Sequence, residues 1–209
     1  MFTDTLKLKY HQGNQYIKDI RNASIKESFR GYPILNSKEE LIDINVCKTG
    51  ALSVNPLSID LGKCTLCGDC RCRGIQFTSD YKLGTDKREK LIITEDMTPE
   101  QFEAASIQST KEIKKHFSSS LKLRQVSAGG CNGCEMELNA CSNANFDMGR
   151  FGINFVASPR HADGIVITGP ITKNMAYALE DCYKSVPEPK IVILTGACAI
   201  SGGIFQEST

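Results

Sequence analysis

The sequence lacks a long hydrophobic run, and it lacks an excess of charge of either sign. No apolar stretch in its 209 residues approaches the roughly 18 residues needed to span a bilayer. The stretch 1–9 has no apolar core of the kind that a signal peptide carries. A net charge of +1 provides no electrostatic footprint for nucleic acid or for an anionic membrane surface. We therefore expect a cytoplasmic protein that binds no nucleic acid and reaches a membrane only through a partner.

Histidine is scarce, whereas cysteine is abundant. His11 and His116 have no cysteines or carboxylates arranged around them in the sequence, so both are predicted to lie at the surface. Ten cysteines in a chain without a secretion signal favour metal or redox chemistry over disulfide bonds. A content of 41% hydrophobic and 23% charged residues is typical of globular proteins, with room here for one large domain or two small ones.

The first group of cysteines has the spacing of a bacterial ferredoxin loop. Cys64, Cys67 and Cys70 are each separated by two residues. Cys47 opens a Cys-Lys-Thr-Gly-Ala-Leu stretch that resembles the ferredoxin sequence Cys-Pro-Thr-Gly-Ala-Ile. In two-cluster ferredoxins, a remote cysteine completes the cluster of the other run. We therefore predict one 4Fe–4S cluster on these four cysteines.

The second cluster of such a ferredoxin has lost its ligands. The positions that would carry them hold Asp43, Glu40 and Ser37, and Cys72 is a displaced leftover. The alternative for the first group is a structural zinc site, because Cys-x-x-Cys pairs also bind zinc. Three cysteines at successive two-residue gaps favour the cluster.

A second group centres on Cys131 and Cys134, which lie two residues apart between glycines. The glycines allow a tight bend, and a helix predicted over 135–142 would direct its first amides at the thiolates. Two kinds of site fit this spacing: a metal centre, or a thioredoxin-like redox pair that follows a strand and opens a helix. The spacing alone leaves both open.

The pattern of apolar residues divides the chain into three parts. Over residues 1–95 the pattern predicts small strands. We expect them to form a ferredoxin-like α+β domain that its bound metal stabilises. Residues 96–120 predict a connector helix that Thr98, Pro99 and Gln101 open with a capping box. Residues 121–209 alternate strands with helices, which is typical of a parallel α/β sheet.

The strands of the last part indicate where a site would lie. In that last part, strands are predicted over 121–126, 152–157, 164–168 and 190–195, with a helix over 174–185. The last two strands are nearly unbroken apolar runs, as expected when both faces are covered. The small strands predicted in the first part lie over 75–78 and 91–94. Alternation over 6–10 predicts one more strand near the amino terminus. Ligands bind at the carboxyl ends of parallel strands, so the loops of Cys131, Cys134 and Cys198 are expected to meet there.

The wider pattern resembles a known family in its order and spacing. The similar segments are Ser127-Ala-Gly-Gly-Cys-Asn-Gly-Cys-Glu-Met-Glu, Val156-Ala-Ser-Pro-Arg-His-Ala-Asp-Gly-Ile-Val-Ile-Thr-Gly-Pro-Ile-Thr and Gly196-Ala-Cys-Ala-Ile-Ser-Gly-Gly-Ile-Phe. The family is the small subunit shared by group 4, energy-converting NiFe hydrogenases, including formate hydrogenlyase, and by complex I (NADH–quinone oxidoreductase), where it is the 20 kDa or B subunit. The ferredoxin-like part is similar to an N-terminal extension of some hydrogenase-type members. The spaced Cys131 and Cys134 also favour that branch, because complex I members typically have adjacent cysteines there.

The resemblance implies a flavodoxin-like domain over 121–209 that holds one 4Fe–4S cluster beside a large catalytic subunit. Cys131, Cys134 and Cys198 match three of the cluster ligands. The family's fourth ligand lies in a later Gly-Cys-Pro-Pro segment, which this sequence does not contain, so we expect a chain that is incomplete at its C-terminus. Glu135 matches an acidic position beside the cluster, and stabilising the helix dipole is the alternative for this residue.

Two further residues match the family's Pro-Arg-His-Ala-Asp loop. The resemblance implies that Arg160 and His161 donate hydrogen bonds near the cluster or face the partner subunit. Loop anchoring is the alternative, and it is favoured for His161. Cys141 and Cys182 are predicted to be buried cysteines that behave like apolar residues, not substitute ligands.

The function implied is that of an electron-transfer subunit, an oxidoreductase component that is not catalytic on its own. Its expected partners are the large catalytic subunit of a hydrogenase-like or complex I-like assembly, which would supply any quinone pocket, and other iron–sulfur subunits. The complex would hold the chain on the inner face of the cell membrane. Two other functions stay open: a zinc-binding, non-redox docking module, and a stand-alone thiol oxidoreductase that uses Cys131 and Cys134.

Overall fold

The computed structural model describes residues 2–13, 16–26, 28–38, 42–72 and 74–206. The helices are α1 (Phe2–Gln12), α2 (Pro99–Phe117), α3 (Gly133–Ala140), α4 (Lys173–Ser185) and α5 (Ala197–Ser201). The strands are β1 (Pro33–Leu35), β2 (Leu52–Val54), β3 (Leu57–Asp60), β4 (Ile75–Phe77), β5 (Ile92–Thr94), β6 (Leu121–Ser127), β7 (Ile153–Phe155), β8 (Gly164–Thr168) and β9 (Ile191–Thr195). Among these helices, none is long and apolar enough to cross a membrane.

The N-terminal strands are short and antiparallel. β1 pairs with β4, and β3 lies between β2 and β5 in a three-stranded sheet. Their core is built on Tyr32, Ile59, Ile75 and Ile93, whose side chains are almost fully buried. The ring of Phe102 on α2 packs edge-on against Tyr32, with 5.5 Å between ring centroids. The connector helix therefore starts as part of the N-terminal core.

The first residues form the helix α1, so the strand predicted over 6–10 is wrong. Leucine and lysine are good helix formers, and the alternating pattern has no neighbouring strand to join. Leu6, Leu8 and Tyr10 are all exposed on this helix, Tyr10 by 86%. The alternation of apolar and polar residues over 6–10 therefore does not correspond to a strand with one buried face.

α2 begins as its sequence predicts. The hydroxyl of Thr98 accepts a hydrogen bond from the amide of Gln101 at 3.3 Å. The Gln101 side chain accepts one in return from the amide of Thr98 at 3.0 Å, and Pro99 occupies the first helical position. The helix ends at Phe117, and Ser118 then turns the chain with a φ of 57°.

The C-terminal strands form the parallel sheet that the alternation predicts. The strand order is β7-β6-β8-β9, and every neighbouring pair is parallel. The chain leaves β6 for β7 on one side and reaches β8 on the other. A crevice therefore opens between β6 and β8 at their carboxyl ends. Met175, Leu179 and Cys182 of α4 pack against the core of this sheet.

The apolar strands β8 and β9 differ in how far the rest of the chain buries their faces. All five residues of β8 are buried, which confirms the prediction that both of its faces are covered. The same prediction is wrong for β9, where Val192 and Leu194 are 48% and 43% exposed. Among the described strands, β9 is at the edge of the sheet. It lines a cleft of about 860 Å³ together with the loop 83–88 and the end of α2.

Candidate metal centres

The N-terminal cysteines lie on two turns that local sequence defines. Cys47 follows a short 3₁₀ turn, Ile44–Val46, which Asp43 caps through a 2.9 Å hydrogen bond from the amide of Asn45. The amide of Cys64 donates to the carbonyl of Asp60 at 2.9 Å, which starts the second turn directly after β3. Of the positions that correspond to lost ligands, Glu40 lies outside the described residues.

Cys47, Cys64 and Cys70 pack against the same N-terminal core, and Cys67 is exposed on the turn between the last two. Burial raises the pKa of the Cys64 thiol, and negative charge on Cys47 and Cys67 raises it further. Burial also raises the pKa of Cys70 to about 11, and Cys64, Cys47 and Cys67 add to the effect. Cys72 packs against this core as well, and its backbone pairs with Ile75 in a β-bridge.

Backbone amides point at two of the four sulfur atoms. The amide of Ala51 donates to Cys47 Sγ at 3.2 Å, and the amide of Leu66 donates to Cys64 Sγ at 3.3 Å. Burial alone would raise the pKa of Cys47, but hydrogen bonds from Thr49 and Ala51 outweigh it and lower that pKa. Amide hydrogen bonds to thiolate sulfur favour the charged form and tune cluster potentials.

Arg30 hydrogen-bonds to the turn between Cys64 and Cys67. No sequence motif pointed to this residue. Its Nε donates to the carbonyl of Leu66 at 2.6 Å. Leu66 has a φ of 54°, an uncommon backbone conformation for leucine. A Cβ placed on Gly68 would lie 2.7 Å from Arg30 Cδ, so only glycine lets the arginine stem pass so close. No spacing rule links Arg30 to the cysteines.

The donor set of the N-terminal group fits an iron–sulfur cluster. In the ranges that the structure describes, no three His, Cys, Asp or Glu residues are grouped to hold a single metal ion. A cubane takes each of its four thiolates on a different iron, so its ligands stand further apart than those of one ion. Four thiols, two with amide donors at sulfur, supply that set.

The second group lies at the carboxyl edge of the parallel sheet, where the loop positions predicted it. Cys131 and Cys134 lie on the turn from β6 into α3, where Asn132 adopts a φ of 69°. Cys198 lies at the start of α5, directly after β9. Burial raises the pKa of Cys134, as do the charges of Glu135, then Cys198, then Cys131.

Close packing around Cys134 depends on glycine. A Cβ on Gly196, in the turn between β9 and α5, would lie 2.6 Å from Cys134 Sγ. Gly196 also has a φ of 87°, which favours glycine for a second reason. The turn that carries Cys198 can therefore approach the loop that carries Cys134.

Glu135 is buried beside this group and bonded to both central strands. Its Oε1 accepts hydrogen bonds from the hydroxyls of Ser127 and Thr168, both at 2.6 Å. Those hydroxyls end β6 and β8, so the carboxylate spans the crevice between the two strands. The hydrogen bonds from Ser127 and then Thr168 hold the pKa of Glu135 below its usual range. The sequence did not show Thr168 as its partner, although a polar residue ending an apolar strand was a usable signal.

The remaining candidates have surroundings of their own. Arg160 and His161 are exposed on the turn Pro159–His161, so their roles stay predictions. Cys182 is half-buried and packs against the sheet core, which agrees with an apolar role. Cys141 is half-buried, and its thiol donates to the carbonyl of Glu137 within α3 at 3.3 Å. His11 and His116 are exposed, as predicted.

Known proteins are similar to the second part of the chain. Residues 131–209 match the family described as NADH ubiquinone oxidoreductase, 20 Kd subunit. The probable membrane-bound hydrogenase subunit mbhJ of Pyrococcus furiosus is 45% identical over 40% of this chain and 50% of its own length. Formate hydrogenlyase subunit 7 of Escherichia coli is 46% identical over 49% of this chain and 40% of its own.

A third relative is named as a subunit of NADH-quinone oxidoreductase. The B subunit of NADH-quinone oxidoreductase from Geotalea daltonii is 51% identical over 35% of this chain and 43% of its own length. The chain thus spans half or less of the length of these three curated relatives. All three relatives are named as subunits of hydrogenase, formate hydrogenlyase or NADH-quinone oxidoreductase assemblies. The stretch that matches the family includes Cys131, Cys134 and Cys198.

Proposed function

Because residues 131–209 match the family of the 20 kDa subunit of NADH ubiquinone oxidoreductase, we propose that this chain is an electron-transfer iron–sulfur subunit. Its complex would be a membrane-associated, hydrogenase-like or NADH–quinone oxidoreductase-like assembly. The observation that carries the proposal is that the matched stretch contains Cys131, Cys134 and Cys198, and that the turn before Cys198 approaches Cys134 Sγ. The ferredoxin-like spacing supports a first site on Cys47, Cys64, Cys67 and Cys70.

At the first site, Cys47, Cys64, Cys67 and Cys70 would hold a 4Fe–4S cluster, which supplies one-electron transfer when bound. The chain's own part is to shield Cys47, Cys64 and Cys70 partly from water and to direct the amides of Ala51 and Leu66 at sulfur. Amide donors and burial act on the potential in opposite directions, because one favours negative charge and the other disfavours it.

At the second site, Cys131, Cys134 and Cys198 would hold a cluster through three of its irons. Glu135 places a fixed negative charge against Cys134, and its hydrogen bonds to Ser127 and Thr168 keep that charge in position. A fixed anion beside a cluster disfavours added electrons, so Glu135 would lower the reduction potential of this site.

We also propose the domains that the sequence suggested. Residues 1–95 would form the ferredoxin-like domain, 96–120 the connector, and 121–209 a flavodoxin-like domain. The strand order β7-β6-β8-β9 follows the first four positions of the flavodoxin-like order 2-1-3-4-5. Antiparallel strands around the first cysteine group support the other domain.

The partners of the chain follow from the same proposal. Electrons would pass to or from a large catalytic subunit, which would carry out any hydrogen or quinone chemistry, and other iron–sulfur subunits would extend the path. The exposed Arg160, on the turn Pro159–His161, would face that partner. The complex would hold the chain on the cytoplasmic face of the membrane. The spaced pair Cys131 and Cys134 favours a hydrogenase-type complex over complex I.

A stand-alone thiol oxidoreductase is the second candidate. Such an enzyme needs only a pair of cysteines that follows a strand and opens a helix, which Cys131 and Cys134 supply. The turn before a third cysteine, Cys198, approaches this pair, because a Cβ on Gly196 would lie 2.6 Å from Cys134 Sγ. A third thiol has no part in a two-cysteine redox cycle, so its presence favours a metal centre.

Iron, acid-labile sulfide and zinc content of the anaerobically reconstituted chain test the proposal. About four irons per chain would mean that the first site alone is filled, and about eight would mean that both are. Cys67→Ser should remove the iron and the reduced-state paramagnetic signal of the first site. Cys72→Ser is the matched control and should leave both unchanged. Zinc without sulfide would replace the electron-transfer proposal with a zinc-binding docking module.

A further inference from the structure

The two groups of cysteines are joined by a direct packing contact. Gly62 lies two residues before Cys64, and Ile200 lies two residues after Cys198. A Cβ placed on Gly62 would lie only 2.9 Å from Ile200 Cγ2. Ile200 belongs to α5, yet it packs against the core of the N-terminal strands. The turn of one cysteine group therefore touches the helix of the other.

An ion pair fixes the N-terminal side of this contact. The Arg88 guanidinium donates two hydrogen bonds to the Asp60 carboxylate, at 2.7 and 2.6 Å, the two-pronged geometry that gives such pairs their directionality. Asp60 Oδ1 also accepts from the amide of Gly62 at 2.9 Å. Its carbonyl accepts from the amide of Cys64 at the same distance. One residue therefore orients the glycine, the arginine and the start of the cysteine turn.

The absence of a side chain at Gly62 permits the close approach. The same added Cβ would lie 2.7 Å from the guanidinium carbon of Arg88, so a methyl group has to displace the arginine, Ile200 or both. Gly62 is buried and has no positive φ, so the backbone itself does not demand glycine. Glycine is required at this position because the side chains of Arg88 and Ile200 both pack against it.

On the other side, Cys198 depends on the anchoring of α5. This helix has five residues, too few to be stable without tertiary packing. A Cβ on Gly203 would lie 3.2 Å from Cys198 Sγ, so the chain after α5 folds back over the thiol. The side chain of Ile200 is the part of this helix that packs on the N-terminal core.

We infer that Gly62 and Ile200 are positioning residues, whose contact holds Cys198 at a fixed place relative to the Cys64 turn. The separation of the two cysteine groups is set at this junction. Two extended residues span at most about 7 Å from Gly62 to Cys64, and two helical residues rise about 3 Å from Cys198 to Ile200. The consequence for electron transfer rests on the proposed function, whereas the geometry does not.

The first test uses the metal-free full chain. Gly62→Ala and Ile200→Ala should each raise the alkylation rate of Cys198 by iodoacetamide several-fold, as followed by peptide mass spectrometry. Gly84→Ala is the control for the glycine, because nothing lies within 4 Å of the added methyl group. Ile204→Ala is the control for the isoleucine, because Ile204 is 66% exposed. Both controls should match the unaltered chain.

Ile200→Val is included because it keeps most of the contact. It should restore slow alkylation, which general unfolding of the alanine variant would not predict. In the iron-loaded, reduced chain, the magnetic interaction between the two sites should weaken in Ile200→Ala and return in Ile200→Val. A role confined to stability would leave that interaction unchanged in folded molecules.

The outcomes separate this inference from the proposed function. Unchanged alkylation of Cys198 in both alanine variants would overturn the inference, whatever the iron content. Faster alkylation in a chain that binds no iron would support the junction and refute the electron-transfer proposal. Faster alkylation with weakened magnetic interaction at full iron content would support both.

Discussion

The carboxylate of Glu135 is a buried charge whose partners are two hydroxyl groups, Ser127 and Thr168. Hydrogen bonds to an ionised acceptor are about twice as strong as neutral ones. Glu135→Gln keeps the shape and removes the charge, so it should lower the free energy of unfolding by about 1–3 kcal/mol. Urea denaturation of the metal-free chain measures this loss.

Glu137 provides the matched control for this change, because it lies two residues further along the same helix and is exposed. Glu137→Gln should change the free energy of unfolding by less than about 0.5 kcal/mol. Equal effects of the two substitutions would show that the negative charge of Glu135 adds nothing to the strength of its hydrogen bonds to the strand ends.

Tyr32 is 1% exposed, and its hydroxyl donates to the carbonyl of Met97 at 2.9 Å. Burial, with the nearby charges of Glu100 and Asp80, raises the pKa of Tyr32 to about 12. The fold therefore favours the neutral phenol, and this contribution to stability is complete below the unfolded pKa of about 10. It should be lost as the pH rises from there towards 12.

Tyr32→Phe should abolish this alkaline loss of stability and cost about 1 kcal/mol at neutral pH, because the Met97 carbonyl loses its donor. Tyr177→Phe is the control, since Tyr177 is 79% exposed. Unfolding free energies at pH 7 to 11 give both numbers. An alkaline slope that persists in Tyr32→Phe would assign it to another group.

Among the elements, α2 owes its start to local sequence. The capping box of Thr98 and Gln101 satisfies two amides that the helix itself cannot pair. Thr98→Ala should lower the free energy of unfolding by about 1 kcal/mol, and Thr98→Asp should restore most of it because aspartate also caps. Thermal unfolding compares the three chains. Equal stability of Thr98→Ala and the unaltered chain would mean that packing of Phe102 alone sets the start of the helix.

The elements also show which features a sequence can predict. β8 and the start of α2 were predicted correctly, because the apolar run and the capping residues carry their own local signal. β9 has the same apolar run as β8, yet its cover depends on which strand lies at the edge of the sheet. The helix α1 was missed because alternation predicts a strand only where a partner strand exists. Tertiary neighbours decide these cases, and sequence spacing does not contain them.

The candidate site divides in the same way. Ferredoxin-like spacing selected Cys47 and the run that begins at Cys64, and the family resemblance selected Cys131, Cys134 and Cys198. Their role as cluster ligands stays a prediction. The residues that hold those loops were not predictable. Arg30 reaches Leu66, and Thr168 reaches Glu135, through contacts between distant stretches that follow no spacing rule.

At the scale of the whole molecule, an N-terminal segment over 16–23 links the two parts of the chain. The amide of Ile17 donates to the carbonyl of Asn145 at 2.8 Å, and the guanidinium of Arg150 donates to the carbonyl of Ile17. At its other end, the amide of Ala23 donates to the hydroxyl of Tyr81 at 3.2 Å. The segment is therefore bonded to the C-terminal part at one end and to the N-terminal part at the other.

Arg150 contacts this segment in a second way, because its guanidinium also lies near the ring of Tyr16, and near that of its own neighbour Phe151. Its guanidinium carbon is 5.8 Å from the ring centroid of Tyr16 and 4.7 Å from that of Phe151. Each such contact contributes about 0.5–1 kcal/mol at an exposed site. Arg150→Ala should therefore speed hydrogen exchange at the amide of Ile17, whereas exchange within β8 should stay slow. Arg150→Lys keeps the charge but loses the planar group, so its effect should be intermediate.

This link and the contact of Gly62 with Ile200 share no residue, so their effects should add. In the double variant Ile200→Ala, Arg150→Ala, iodoacetamide should alkylate Cys198 faster than in either single variant. The reason is that this chain lacks the Gly62–Ile200 contact and the Arg150 link at the same time. Rates for the four chains form a double-mutant cycle. A rate in the double variant equal to that of Ile200→Ala would show that the N-terminal segment does not help to position Cys198. The junction would then act alone in setting the distance between the two cysteine groups.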